Sequence, residues 1–124
     1  MKEVIAIIRM NKMNATKKAL TDAGIAAFFA HECHGRGKGL VEPKALEGVQ
    51  AGIEEAVAVI ADPGKLYPKR MLTVVVPEDM VDDVVATIMN ANRTGNPGDG
   101  KIFVMPVLDS VRVRTGESGA KAIA

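Results

Sequence analysis

Three glycines, a proline and a lysine fall within one short run, Thr94-Gly95-Asn96-Pro97-Gly98-Asp99-Gly100-Lys101, and the apolar run Ile102-Phe103-Val104 follows at once. Glycine lets backbone N–H groups crowd round a ligand with no Cβ in the way, and lysine adds a point charge. The chemistry that suits such a loop is the holding of a phosphate group. The spacing Gly95-x-x-x-x-Gly100-Lys101 follows the P-loop as far as the lysine. It departs at Ile102, where a magnesium-binding Ser or Thr would stand, and it opens a strand where a P-loop opens a helix. The P-loop fold is therefore excluded, but the local capacity for phosphate survives. A glycine hairpin turn with a solvated lysine is the competing reading.

Further cations are placed to help. Arg112 and Arg114 alternate and would point the same way from a strand. Gly35-Arg36-Gly37-Lys38 adds charge in a glycine setting, and Lys69 and Arg70 follow. Charge-assisted hydrogen bonds contribute roughly 1.5–3 kcal/mol each, so a few of them could hold a triphosphate. For any single one, a solvated surface charge is the alternative. His31-Glu32-Cys33-His34 has the wrong spacing for a zinc knuckle and is better read as a buried Cys beside an exposed His. Asp82 and Asp83 lie on the polar side of a helix. No Ser–His–Asp or Cys–His arrangement is recognisable, so catalysis has no visible nucleophile.

The elements that must position these groups are short and aliphatic. The chain has 124 residues, enough for one domain, and is 48% hydrophobic with only 3% aromatic residues, so its core is built from Val, Ile, Leu, Ala and Met. A formal net charge of +1 gives no global field for nucleic acid. No apolar run is long enough to insert in a membrane, no signal peptide is evident, and the single Cys33 excludes an internal disulfide. These features predict a soluble cytoplasmic protein.

Residues 4–8 read as a buried strand, 13–23 as a helix stopped by Gly24, 25–30 as a second strand and 72–76 as a third. Pro77-Glu78-Asp79 then opens a helix, in which Val81, Val84, Val85, Ile88 and Met89 recur at helical spacing. Strands over 102–107 and 111–114 complete the chain, with a frayed tail from 116 to 124. The order strand-helix-strand, strand-helix-strand predicts an α+β ferredoxin-like (βαββαβ) sandwich. It has both helices on one face of the sheet, and the other face is apolar, uncovered and suited to oligomerisation. An arm of about 35–68 interrupts it. Within the arm Leu46, Val49, Ile53, Val57 and Ile60 share a helical face, which fits either an arm that folds on a partner or a helix packed on its own domain.

The run from Thr94 to Val104, followed by Val111-Arg112-Val113-Arg114-Thr115-Gly116-Glu117, strongly resembles the C-terminal signature of the PII nitrogen-regulatory signalling proteins. The run from Met1 to Arg9, Gly35-Arg36-Gly37-Lys38, and the stretch from Pro68-Lys69 to Pro77-Glu78-Asp79 resemble that family too. The resemblance implies a single PII-like domain over 1–124, a homotrimer with its sheets turned inward, and ATP or ADP in the clefts between subunits. Backbone groups of Gly98, Asp99 and Gly100, with Lys101, would hold phosphate from one subunit. Arg112 and Arg114 would reach it from the neighbour, and Arg36 would clamp it from the base of the arm. Ile7 and Val75 would line the base pocket.

For the effector 2-oxoglutarate the resemblance implies Lys69 and the backbone of Gly37, Lys38 and Gly39, with magnesium entering beside ATP. The family's glutamine after the Arg36 position is Gly37 here, and its acid before Pro77 is Thr73. Tyr67 sits at the arm's exit and not at its tip, so its uridylylation is not expected. The long arm, corresponding to the family's T-loop, and the Gly-Arg-Gly-Lys segment are most similar to the nitrogenase-associated branch. That branch implies a non-enzymatic nitrogen and energy sensor contacting dinitrogenase, with a paralogous subunit as a candidate co-partner. An ammonium channel or a glutamine synthetase pathway is the alternative target, and a phosphohydrolase is the reading from another class.

Overall fold

The computed structural model describes residues 1–38 and 64–123. The candidate amphipathic stretch of the arm, and Gly39 with it, lies outside the described residues. The elements are β1 (Lys2–Arg9), α1 (Met13–Asp22), β2 (Phe29–Gly35), β3 (Tyr67–Val76), α2 (Val81–Asn92) and β4 (Lys101–Pro106), with short 3-10 turns at Met10–Lys12, Glu78–Met80 and Gly119–Ile123. The strands form one antiparallel sheet in the order β2-β3-β1-β4. This is the ferredoxin-like α+β arrangement that the order of apolar runs predicts.

Strand alternation divides the sheet into two faces. Val4, Ala6 and Ile8 of β1 and Leu72, Val74 and Val76 of β3 are buried, and they pack with Leu20, Ile25, Val84 and Ile88 into one aliphatic core under the helices. On α2 the predicted stripe holds: Val84 and Ile88 are buried, Val81 and Val85 pack against the core, and Met89 stands at its edge with 39% exposure. The other face carries Ile5, Ile7, Met71, Val75, Phe103 and Met105. No helix covers it among the described residues, and Phe103 is 49% exposed.

Three boundaries differ from the sequence expectation. The second strand is not 25–30 but Phe29–Gly35. Ile25 is apolar for another reason: it closes a Schellman motif. The Gly24 N–H donates to the Thr21 carbonyl at 3.0 Å, the Ile25 N–H donates to the Leu20 carbonyl at 2.8 Å, and Ile25 and Leu20 are both buried. β3 starts at Tyr67, inside the range assigned to the arm. Proline is tolerated there because β1 ends at the Arg9–Lys69 pair, so at Pro68 one side of β3 has no ladder to complete. Residues 111–114 do not form a strand. Val111 makes a single bridge with Ser118, and the chain turns back between them, the Arg112 N–H donating to the Glu117 carbonyl at 2.8 Å. At the other site read from sequence, Cys33 is only partly buried, with His31 and His34 exposed on the edge strand β2.

Candidate functional site

The glycine loop enters β4 directly, and Lys101, the first residue of that strand, pairs with Ile7 of β1. The loop is held from within by Asp99. This carboxylate accepts from the Thr94 N–H at 2.8 Å, from the Gly95 N–H at 2.9 Å and from the Thr94 hydroxyl. It is also ion-paired with Arg9, whose Nη1 donates at 2.7 Å. Partial burial alone would push the Asp99 carboxyl up. Donation from the Thr94 hydroxyl, from Arg9 and from the two N–H groups outweighs it and holds the group well below the usual carboxylate range.

The loop is also held from beneath. Arg9 Nη2 donates to the Pro97 carbonyl at 3.0 Å, and Lys69 Nζ lies 3.5 Å from the Gly98 carbonyl. Arg9 and Lys69 are cross-strand partners, with Cys33 of β2 beside Lys69. One end of the helix-free face therefore gathers Ile7, Arg9, Lys69 and Lys101. Arg36 belongs to this end as well, because it follows Gly35, the partner of Tyr67 at the start of β3. Arg36, Gly37 and Lys38 are exposed. Lys69, the expected effector residue, is 5% exposed and turned toward the loop.

The remaining candidates stand elsewhere in the same chain. Val75 pairs with Glu3, at the opposite end of the face from Ile7, which pairs with Met71. Arg112 and Arg114 follow β4, which runs from Lys101 beside Ile7 to Pro106 beside Lys2. At about 3.3 Å per residue, that strand carries the chain roughly 20 Å from the loop before the C-terminal turn begins. Arg112 is braced there by Glu117 at 2.8 Å and by the Lys121 carbonyl at 2.9 Å, and Arg114 is exposed on the turn. The turn replaces the strand that would have pointed both arginines one way.

A cleft of about 410 Å³ opens on the helix side of the loop, between α2 and β4, with Ile8, Val85, Ile88 and Ile102 in its walls. Among the candidate nucleotide residues it takes in only Asp99, Gly100 and Lys101. Of the cationic end of the helix-free face, Lys101 lines this cleft, and Ile7, Arg9 and Lys69 do not.

Sequence reasoning missed Arg9 and Thr94 as parts of the loop's support. The signal for Arg9 was its place in the alternation Glu3, Ile5, Ile7, Arg9, which puts its charge on the same face as Ile7, two residues away.

Residues 1–117 match a family model described as nitrogen regulatory protein P-II. The chain is 45% identical over 125 residues to the nitrogen fixation nifHD region GlnB-like protein 2 of Methanobacterium ivanovii, covering 99% of each chain. It is 44% identical over 126 residues to the protein of that name from Methanococcus maripaludis, covering 99% of this chain and 100% of the relative. Among solved structures it is similar to Arabidopsis thaliana PII bound to citrate, with a TM-score of 0.73 and 33% identity over 98% of this chain and 88% of that one.

Proposed function

Because this chain belongs to the P-II family of nitrogen regulatory proteins, we propose that it is a non-enzymatic sensor that binds ATP or ADP in clefts shared between the subunits of a homotrimer. The observation that carries this reading is the separation of the candidate residues within one chain. Gly98, Gly100, Lys101 and Arg36 gather at one end of the sheet, whereas Val75, Arg112 and Arg114 belong to the other. Each chain so offers two half-sites, and a rotational assembly apposes the loop of one copy to the C-terminal turn of the next. The helix-free face, with its exposed Phe103 and Met105, supplies the surface for that assembly.

In this reading the loop's backbone N–H groups and Lys101 meet phosphate from one side, and Arg114 and Arg112 complete the charge from the other. Magnesium enters as the ion of the nucleotide phosphates. 2-Oxoglutarate binds near Gly37, Lys38, Gly39 and Lys69, drawing Lys69 from the Gly98 carbonyl. The effector acts on the arm between β2 and β3 through its different affinity for two arm states. Relatives named for the nitrogen fixation region favour dinitrogenase as the target of that arm.

Calorimetry with ATP, ADP and then 2-oxoglutarate in the presence of MgATP tests the sensor. Heat of nucleotide binding is expected, and its absence at millimolar ligand overturns the reading. A pull-down from nitrogen-replete cells tests the target. Dinitrogenase is expected; recovery of an ammonium channel without it overturns that assignment.

A further inference from the structure

We infer that Arg9 is the positioning residue of the phosphate loop: it aims the Gly98 amide outward and offsets the Asp99 charge without itself meeting the ligand. The inference rests on the nucleotide reading above. Arg9 ends β1, and its side chain is only 13% exposed. Its guanidinium spans two parts of the loop at once, Nη1 on the Asp99 carboxylate at 2.7 Å and Nη2 on the Pro97 carbonyl at 3.0 Å.

The second contact fixes a direction. The Pro97 carbonyl and the Gly98 N–H belong to one trans peptide, in which the two groups point opposite ways. A carbonyl turned down to Arg9 leaves the Gly98 N–H turned away from β1. Lys69 acts alike on the next peptide through the Gly98 carbonyl, at the longer distance of 3.5 Å. That peptide's outward group, the Asp99 N–H, reaches back to the Asn96 carbonyl at 3.4 Å. The Gly98 amide is therefore the donor that the arrangement presents.

The first contact fixes a sign. A loop that is to accept phosphate carries a carboxylate between the Gly98 and Gly100 amides, and an unpaired Asp99 would repel the ligand. Arg9 neutralises it while Thr94 and Gly95 use up its lone pairs. A planar fork serves both partners together; a lysine would bring the charge but not the two-point geometry.

The test uses the full chain, as wild type, Arg9→Gln, Arg9→Lys and the double variant Arg9→Gln/Asp99→Asn. It measures ADP affinity by calorimetry, the Gly98 amide resonance in the nucleotide-free protein, and thermal stability. Arg9→Gln is expected to shift the Gly98 resonance and weaken ADP by about tenfold or more, the size of a lost charge-assisted contact. Removing the Asp99 charge as well should recover part of that loss. Arg9→Lys, which keeps the charge but not the fork, should give intermediate affinity and still displace the resonance. Wild-type affinity and an unmoved Gly98 resonance in both single variants overturn the inference alone. No binding by the wild type overturns the nucleotide reading, and this inference with it.

Discussion

Gly100 stands so close to Ile7 that a Cβ built on it would lie 1.9 Å from the Ile7 carbonyl oxygen. The contact sits where the loop joins β4, beside the pairing of Lys101 with Ile7. It ties the loop to the end of β1 through backbone alone. Gly100 also has a φ of +110°, so alanine there meets both a collision and a strained backbone. Gly95, with a φ of +85°, has open space where its Cβ would go. Gly100→Ala should cost on the order of 3 kcal/mol, and Gly95→Ala about 1 kcal/mol. Denaturant melts of the two variants check the difference; equal costs would show that the Ile7 contact does not constrain the loop.

The Asp99 carboxyl makes the loop acid-sensitive in a defined direction. Its folded-state pKa is depressed by the Thr94, Arg9 and Gly95 contacts acting against burial. The stabilisation it gives is complete above the unfolded value of about 3.9 and is lost as pH falls below that toward the folded value. Urea melts between neutral pH and strong acid should therefore show a loss of stability below about pH 4 that is smaller in Asp99→Asn. An unchanged acid profile in the variant would remove Asp99 as the cause.

How far these features were legible in the sequence depends on which interaction set each residue. The core stripe of α2 was readable, because burial dictates its period; residues 4–8 announced a strand as an apolar run, but not that Val4, Ala6 and Ile8 face the core while Ile5 and Ile7 face away from it. β2 was misplaced because Ile25 is apolar as a helix stop, while His31, Glu32, Cys33 and His34 occupy an edge strand where exposure removes the alternation. The glycine loop announced itself through composition. Its fastening did not: Arg9 and Asp99 meet across 90 residues of sequence, and only the β1–β4 pairing brings them together. The alternation of Arg112 and Arg114 suggested a strand, but among the described residues no neighbouring strand continues there, and Arg112 folds onto Glu117.

A buried polar contact joins the two helices. Asn92 Nδ2 donates to Thr16 Oγ1 at 2.9 Å and to the Ile88 carbonyl at 2.8 Å, and the Thr16 hydroxyl donates to the Lys12 carbonyl at 2.7 Å. Thr16 is 0% and Asn92 5% exposed. Thr16→Val removes the acceptor but leaves the amide buried, and should cost about 1–3 kcal/mol. Thr16→Val combined with Asn92→Leu should cost less than the sum of the two single changes, because neither partner is then left buried alone. Additive costs in a double-mutant cycle would mean the contact contributes nothing to helix pairing.

The proposed shared half-sites make a prediction that no single-chain site can. Lys101→Ala and Arg114→Ala should each abolish most ADP binding, since each would spoil one half of every proposed cleft. Unfolding and reassembling the two variants together should restore binding at about a quarter of the clefts, those in which an intact loop meets an intact turn by random mixing. Calorimetric stoichiometry measures this directly. No recovery on mixing would place both residues on one chain's site and remove the assembly argument.

The proposed assembly would bury Phe103. It lies beside Ile5 on the helix-free face, 49% exposed, with Met105 on the same strand at 40%. The core under the helices is formed by other residues, so Phe103→Asp should leave the fold of each chain intact, with unchanged far-UV circular dichroism. Burying one such ring contributes about 1.5–3 kcal/mol. A carboxylate in its place adds a desolvation cost at every copy around the axis. Sedimentation should therefore show the wild type as a trimer and Phe103→Asp as monomer at the same concentration. Nucleotide binding should fall with it, because in the proposed assembly a lone chain keeps only half of each cleft. A monomeric Phe103→Asp variant with full nucleotide affinity would separate assembly from the site and refute the shared cleft.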